Sequence, residues 1–101
     1  MINFLKKLFG GGPDLKEIIS RNAMIIDVRT PEEFRRGHVK GSVNIPLNSL
    51  HGNIKKLQKK KVPIITCCAS GRRSGIAAKQ LEQVGIEAYN GGPWTRVRGY
   101  F

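Results

Sequence analysis

Cysteine and acidic residues are scarce in this chain. The 101 residues include 2 cysteines, and 7 Asp and Glu residues face 18 Lys and Arg residues, for a formal net charge of +11. The cysteines are the neighbours Cys67 and Cys68, between which a disulfide would be strained. The sequence therefore argues against a structural disulfide framework, and we expect a reducing compartment such as the cytoplasm. No His and Cys residues recur at ligand spacing, which argues against a metal site.

The sequence also lacks an apolar run long enough to span a bilayer, and it has no small-residue cleavage site typical of a signal peptide. Residues 1–9 carry an apolar stripe at helical spacing with Lys6 and Lys7 opposite it, which predicts a short amphipathic helix. A glycine-rich linker follows up to residue 13, so we expect the domain itself to span residues 14–101. The segment 1–9 suits weak membrane-surface contact, although packing on the domain or a frayed end is the simpler interpretation.

The excess of basic residues is spread along the chain, and its densest part is residues 55–61. No nucleic-acid-binding motif accompanies it, so we expect a solvated helix end and no nucleic-acid partner. Such a charge still attracts small anions.

Apolar runs alternate with helical patterns, as expected of one layered α/β domain. Strands are predicted near residues 24–27, 43–45, 63–67 and 86–89, and helices near 31–36, 48–57 and 73–84. The pattern predicts a small doubly wound, mainly parallel sheet with helices on both faces.

The loop that begins at Cys68 joins the predicted strand 63–67 to the predicted helix 73–84. Backbone N–H groups at such a turn converge on one point, and the helix dipole adds positive potential there. Ser70 and Gly71 keep the loop small.

Two fixed positive charges, Arg72 and Arg73, stand beside the sulfur of Cys68 in the sequence. A lone cysteine is more often a small buried hydrophobe, but these neighbours favour a reactive thiolate at Cys68.

A second cluster of chemistry-bearing residues ends the first predicted strand. Asp27 and Arg29 flank the strand end, where we expect a structural ion pair that supports the site rather than a catalytic role. Thr30-Pro31 predicts a helix start. Phe34 is expected to point inward, and His38 to serve in packing or hydrogen bonding.

Three stretches of the chain carry recognisable motifs. They are the loop Cys68-Ala69-Ser70-Gly71-Arg72-Arg73-Ser74, residues 24–46, and Gly85-Ile86 with Tyr89-Asn90-Gly91-Gly92 and Trp94. They resemble the active-site loop, the amino-terminal signature, and the last strand, glycine pair and closing helix of the single-domain rhodanese-like sulfurtransferases. Together they cover roughly residues 14–98 in the family's order. The resemblance implies the rhodanese fold, with the reactive loop at the carboxyl end of a central strand, and no cofactor.

The resemblance also implies a reaction. The Cys68 thiolate would take sulfane sulfur from thiosulfate or another persulfide donor and pass it to cyanide, a thiol or an acceptor protein. Backbone amides from Ala69 to Ser74 would hold the sulfur anion, Arg73 would add charge and brace the loop, and Ser74 would help cap the helix. Arg72 is a candidate for contacting a small anionic donor. We expect a monomer.

Two alternatives stay open. Cys67 and Arg73 also fit the Cys-x5-Arg pattern of cysteine phosphatases and arsenate reductases, although strand alternation predicts that Cys67 points into the core. Some rhodanese-like domains are non-catalytic binding modules, but these lack the cysteine that is present here.

Overall fold

The computed structural model describes residues 13–101 and consists of a four-stranded sheet with helices. All strand pairs are parallel, in the order β2-β1-β3-β4. The strands are β1 (Met24–Asp27), β2 (Val43–Asn44), β3 (Ile64–Cys68) and β4 (Ala88–Pro93). The helices are α1 (Leu15–Ser20), α2 (Pro31–Arg35), α3 (Ile54–Lys60), α4 (Arg72–Gln83) and α5 (Trp94–Arg98). The predicted α/β class with a parallel sheet is confirmed.

Helices cover both faces of the sheet, as predicted. On one face, Leu57 of α3 and Leu81 of α4 pack in a cluster that includes Ile64 and Cys68 of β3. On the other face, α1 and α5 contribute to a second cluster with residues of β1 and β3, and its members are Leu15, Ile18, Ile25, Val39, Ile65, Cys67 and Val97. The side chains of β3 alternate between these two clusters, so Cys67 and Cys68 belong to opposite faces.

β3 is the strand that positions the loop. It has a strand on either side, and all five of its residues are buried. Such a strand reads as a continuous apolar run, which is why it could be located in the sequence.

The helix predicted near residues 48–57 is wrong in its bounds. Two 3₁₀ turns, Leu47–Ser49 and His51–Asn53, precede α3, which begins only at Ile54. Gly52 and Asn53 are poor helix formers, and the Asn53 side chain makes no capping hydrogen bond.

Two other elements differ from the prediction. Helix α1 was not predicted; it has only six residues, and the side chain of Asp14 caps it by accepting a hydrogen bond from the N–H of Glu17. Strand β4 begins at Ala88 rather than near residue 86, since the N–H of Ile86 bonds back to the carbonyl of Leu81.

The start of α2 follows its sequence signals. Thr30 and Glu33 form a reciprocal capping box, and Pro31 occupies the first turn. Phe34 is only partly buried, and its ring stacks on His38 with centroids 3.7 Å apart. The His38 ring also hydrogen-bonds the carbonyl of Phe34 through Nδ1 at 2.7 Å.

The predicted amphipathic helix of residues 1–9 and most of its linker lie outside the described residues. Across residues 13–101, no helix has the length and apolar character needed to cross a bilayer. The same stretch holds no group of three His, Cys, Asp or Glu side chains suited to a metal ion.

Candidate functional site

The Cys68 loop occupies the short turn between the end of β3 and the start of α4. Gly71 is the residue that permits the turn, because its φ of 101° lies in the left-handed region that L side chains rarely adopt. There is also no free space for a side chain, since a Cβ on Gly71 would lie 3.3 Å from the Cα of Gly92. The loop is therefore packed directly against the backbone of β4 at Gly92.

Hydrogen-bond donors surround the Cys68 sulfur. The N–H of Gly71 donates to Sγ at 3.0 Å and the N–H of Ser74 at 3.4 Å, while the hydroxyl of Ser74 lies 3.3 Å away. Burial raises the pKa of this thiol, but the hydrogen bonds from Ser74, from Gly71 and from the backbone of Ser70 outweigh burial, so the pKa lies below its ordinary value. The loop thus stabilises a sulfur anion.

Ser74 does not cap α4, contrary to the prediction. The N-terminal cap is Gly71, and no side chain makes a capping bond there. Ser74 is buried within the first turn, where its hydroxyl lies between Cys68 Sγ and Asn90 Oδ1, to which it donates at 2.6 Å. A hydroxyl has one proton, so Ser74 Oγ can donate to the sulfur only when that proton turns away from Asn90.

Asn90 is the residue of this site to which sequence reasoning gave no role. Its Nδ2 donates to the carbonyl of Gly71 at 3.0 Å, and its Oδ1 accepts from the N–H of Gly92 at 2.9 Å as well as from Ser74. These bonds join the loop and α4 to β4. The only sequence signal for a role of Asn90 was its position directly before Gly91 and Gly92.

Gly91, the first glycine of the pair, allows β4 to lie close to β3 and α5. A Cβ on Gly91 would lie 2.7 Å from a methyl carbon of Val97 and 2.8 Å from the carbonyl oxygen of Thr66. Only glycine fits there without displacing β3 or α5.

Arg73 points to α2 and forms an ion pair. Its guanidinium donates to both carboxylate oxygens of Glu33, at 2.8 and 3.1 Å. The hydrogen bond from Arg73, with further bonds from Thr30, lowers the pKa of Glu33 to about 2. The pair ties the first turn of α4 to α2.

The remaining loop residues face solvent. Ala69, Ser70 and Arg72 are exposed, and the Ser70 hydroxyl accepts a long hydrogen bond from the N–H of Arg72 at 3.4 Å. Cys68 itself has no exposed surface.

Asp27 and Arg29 form a buried ion pair after β1. Asp27 is 0% and Arg29 is 5% exposed, and Arg29 Nη2 lies 2.8 Å from Asp27 Oδ2. The same Nη2 donates to the carbonyl of Gly37 at 2.6 Å, and the guanidinium stacks over the ring of Trp94. The pair joins the segments after β1, α2 and β4 on the Cys67 face of the sheet.

Cys67 has the opposite electrostatic environment to Cys68. Burial, reinforced by the negative charge of Asp27, raises the pKa of the Cys67 thiol to about 12. Asp27 is the register partner of Cys67 across the β1–β3 ladder. Cys67 is therefore a protonated core residue at neutral pH, which disfavours its use as the nucleophile of a Cys-x5-Arg phosphatase or arsenate reductase.

Comparison with known proteins gives one family. The sequence profile described as Rhodanese-like domain matches residues 13–93, which is most of the chain.

Three individual proteins illustrate the similarity. The chain is 42% identical to the protein YqhL of Bacillus subtilis over 71 residues, which is 69% of this chain and 56% of YqhL. It is 34% identical to the thiosulfate sulfurtransferase GlpE of Ectopseudomonas mendocina over 76 residues, covering 74% of this chain and 69% of GlpE. A solved rhodanese with anions from E. coli superposes with a TM-score of 0.67 at 33% identity, over 73% of this chain and 89% of that one. The chain thus spans little more than half the length of YqhL.

Proposed function

We propose that this chain, which belongs to the family of rhodanese-like domains, is a sulfurtransferase that carries sulfane sulfur as a persulfide on Cys68. One observation carries the proposal: the backbone N–H groups of Gly71 and Ser74 donate to the Cys68 sulfur, the Ser74 hydroxyl lies 3.3 Å from it, and these contacts, with the backbone of Ser70, lower its pKa. A thiolate is the reactive form of cysteine, so a loop that favours the anion prepares a nucleophile.

The first step is attack on a donor such as thiosulfate. The Cys68 thiolate uses its electron pair to form an S–S bond with the outer sulfur, and the original S–S bond breaks so that sulfite leaves with that pair. No proton is needed in this step, because thiolate and persulfide are both anions. Cys68 is fully buried, so we infer that the exposed residues Ala69 and Ser70 shift to admit the donor.

The second step returns the thiolate. Cyanide or an acceptor thiolate attacks the terminal sulfur of the persulfide, the Cys68–sulfur bond breaks, and its electron pair stays on Cys68. Loop amides that hold the thiolate stabilise the departing charge in this step as well.

The net positive charge of the chain supports anionic donors. Lys and Arg exceed Asp and Glu by 18 to 7, and a positive field raises the local concentration of small anions. A reducing compartment such as the cytoplasm suits a reactive free thiol, and the same persulfide could be delivered to an acceptor protein.

The experiment is to incubate the reduced protein with thiosulfate and to locate the added sulfur by peptide fragment masses. We expect one extra sulfur on Cys68, removed by cyanide with release of thiocyanate. Cys67→Ser is the matched control and should retain the reaction, whereas Cys68→Ser should abolish it.

The alternatives predict other results. Turnover of a phosphate ester or arsenate that depends on Cys67 would replace the proposal with the Cys-x5-Arg chemistry. A folded protein that accepts sulfur from neither thiosulfate nor a persulfide donor would indicate a non-catalytic binding module.

A further inference from the structure

Five exposed lysines form one basic surface along α3 and at its end, which we name the α3 lysine face. They are Lys55, Lys56, Lys59, Lys60 and Lys61. In the described part of the chain, every carboxylate in an ion pair binds an arginine, and no lysine of this face takes part. The sequence around the face is also free of acid, since residues 34–81 contain no Asp or Glu. Its charge is therefore left to act on a ligand outside the domain.

Helix stability does not account for these lysines. Lys55 and Lys56 lie in the first turn of α3, at the positive end of the helix dipole, where acidic residues are favoured and none is present. They are also four residues before Lys59 and Lys60, a spacing at which like charges destabilise a helix. Lys61 ends the helix with a φ of 52°, in the left-handed region that usually holds glycine or asparagine. Only the two lysines of the last turn suit the dipole, so the face as a whole indicates a partner.

A second signal lies in the sequence that precedes the described residues. Residues 1–9 combine an apolar stripe at helical spacing with two lysines. The described chain begins at Pro13, which lines a groove together with Ala78 and Lys79 of α4. Helices α3 and α4 cover the same face of the sheet. The apolar segment therefore joins the domain on the side that carries the α3 lysine face.

The surface of an anionic bilayer fits both signals. A single weak anchor gives marginal, reversible membrane binding, whereas an anchor combined with a polybasic surface gives stable attachment. Lysine also suits such a surface, because its ammonium is a point charge that needs no fixed geometry with the headgroups. Nucleic acid fits less well, since residues 35–88 contain no aromatic side chain on which a base could stack.

We propose that the α3 lysine face binds the surface of an anionic lipid bilayer, with residues 1–9 as the apolar anchor. This inference goes beyond the proposed function and does not depend on the chemistry of Cys68. Helix α3 leads into the start of β3, whereas Cys68 is the last residue of that strand. The end of α3 and the Cys68 loop thus lie at opposite ends of β3.

The test is cosedimentation of the full chain with vesicles at physiological salt. One set of vesicles mixes phosphatidylglycerol with phosphatidylcholine, and the other is phosphatidylcholine alone. We expect binding to the anionic vesicles, weakening as the salt concentration rises, and little binding to the neutral ones. Binding that is equal on the two kinds of vesicle, or absent from both, would overturn the proposal.

The decisive variant combines Lys55→Gln, Lys56→Gln, Lys59→Gln and Lys60→Gln. Each lysine near an anionic surface adds to the attraction, so the partition coefficient on anionic vesicles should fall about 100-fold or more. Glutamine and lysine have similar helix propensities, and the like-charge repulsion is removed. The variant should therefore keep its fold, which its circular dichroism spectrum and urea denaturation verify. An unchanged partition coefficient would contradict the proposal.

A second variant with the same loss of charge is the matched control. It replaces four exposed basic residues outside α3 and α4, with the substitutions Lys16→Gln, Arg35→Gln, Arg36→Gln and Lys40→Gln. Helix α1 and Val39, which precedes Lys40, pack in the cluster on the opposite face of the sheet. Charges there are screened from lipid that meets α3, so we expect a loss of no more than about threefold. Equal losses in the two variants would reduce the effect to net charge and overturn the proposal.

Two further measurements separate the anchor and the kind of partner. Leu5→Ser with Phe9→Ser keeps every lysine but removes apolar surface, and should lower binding to the anionic vesicles about tenfold or more. Unchanged binding would contradict the role of residues 1–9. A DNA duplex added at the same phosphate concentration should leave most of the protein on the vesicles. If the duplex instead removes the protein, the α3 lysine face is a nucleic-acid site and the membrane proposal is wrong.

Discussion

Cys67 and Cys68 are covalent neighbours on one strand, both without exposed surface, yet their environments drive their ionisation in opposite directions. Cys68 lies among N–H and O–H donors that lower its pKa, while Cys67 lies beside the Asp27 carboxylate and has its pKa raised to about 12. Strand alternation alone separates the two environments, since successive side chains of β3 enter opposite faces of the sheet.

Burial does not by itself decide whether a cysteine of this fold is reactive. Burial raises the pKa of both thiols. Oriented donors within hydrogen-bond distance outweigh it at Cys68, and a buried negative charge adds to it at Cys67. A fold can therefore keep an inert thiol next to a reactive one.

The largest expected effect comes from breaking the ion pair on the Cys67 face. Asp27→Asn leaves Arg29 buried without its carboxylate, and we expect the free energy of unfolding to fall by about 3–5 kcal/mol. Urea denaturation measures it. The exposed Glu32→Gln on α2 is the control, with a loss of no more than about 1 kcal/mol. Equal losses in the two variants would mean that the buried pair does not organise this face.

Removing a donor on the Cys68 face should have the next largest effect. Ser74→Ala deletes the hydroxyl 3.3 Å from the sulfur, so the pKa of Cys68 should rise and persulfide formation at pH 7 should slow by about tenfold. The rate of sulfur uptake from thiosulfate, followed by mass, measures it.

Ser70→Ala is the control for that substitution. The Ser70 hydroxyl bonds the backbone of Arg72 and not the sulfur, and alanine keeps the Ser70 backbone N–H. A rate loss in Ser70→Ala as large as in Ser74→Ala would show that loop conformation, not the hydroxyl, sets the reactivity.

The smallest effect is expected for the Glu33–Arg73 ion pair between α2 and α4. Glu33→Gln replaces a carboxylate whose pair with Arg73 is about one third exposed, so we expect a loss of about 0.5–1 kcal/mol in unfolding free energy at pH 7. The amide can still complete the capping box with Thr30.

The pH dependence of that loss has a definite sign. The folded-state pKa of Glu33 is lowered from 4.5 to about 2, so its contribution is present above pH 4.5 and is lost as the pH falls toward 2. Stability curves of the wild-type protein and Glu33→Gln should converge across that range. A difference that grows on acidification would contradict the assignment.

Local signals made much of the fold predictable. The apolar run of β3 and the Thr30-Pro31 start of α2 depend on residues close in sequence, and the structure confirms the parallel α/β sheet that they indicated. The span 48–57 was mispredicted because its spacing suggests one helix, whereas Gly52 and Asn53 hold its first half in 3₁₀ turns.

The contacts that complete the site could not be predicted, since they join distant parts of the chain. Asn90 meets Ser74 across 16 residues, and Glu33 meets Arg73 across 40. Ser74 was expected at a helix cap because serine favours caps, but a glycine in the left-handed conformation already takes that place. The loop residues were named from the sequence, and apart from the capping role of Ser74, which is wrong, the roles given to them stay predictions.

The most direct measurement is the pH dependence of iodoacetamide labelling at each cysteine, resolved by fragment masses of the folded protein. We expect Cys68 to be labelled with a midpoint below the ordinary pKa of a cysteine thiol. Cys67 should stay unlabelled until the protein unfolds. Equal labelling of the two thiols, or labelling of Cys67 before Cys68, would contradict the claim that the two faces of β3 separate a reactive thiolate from an inert thiol.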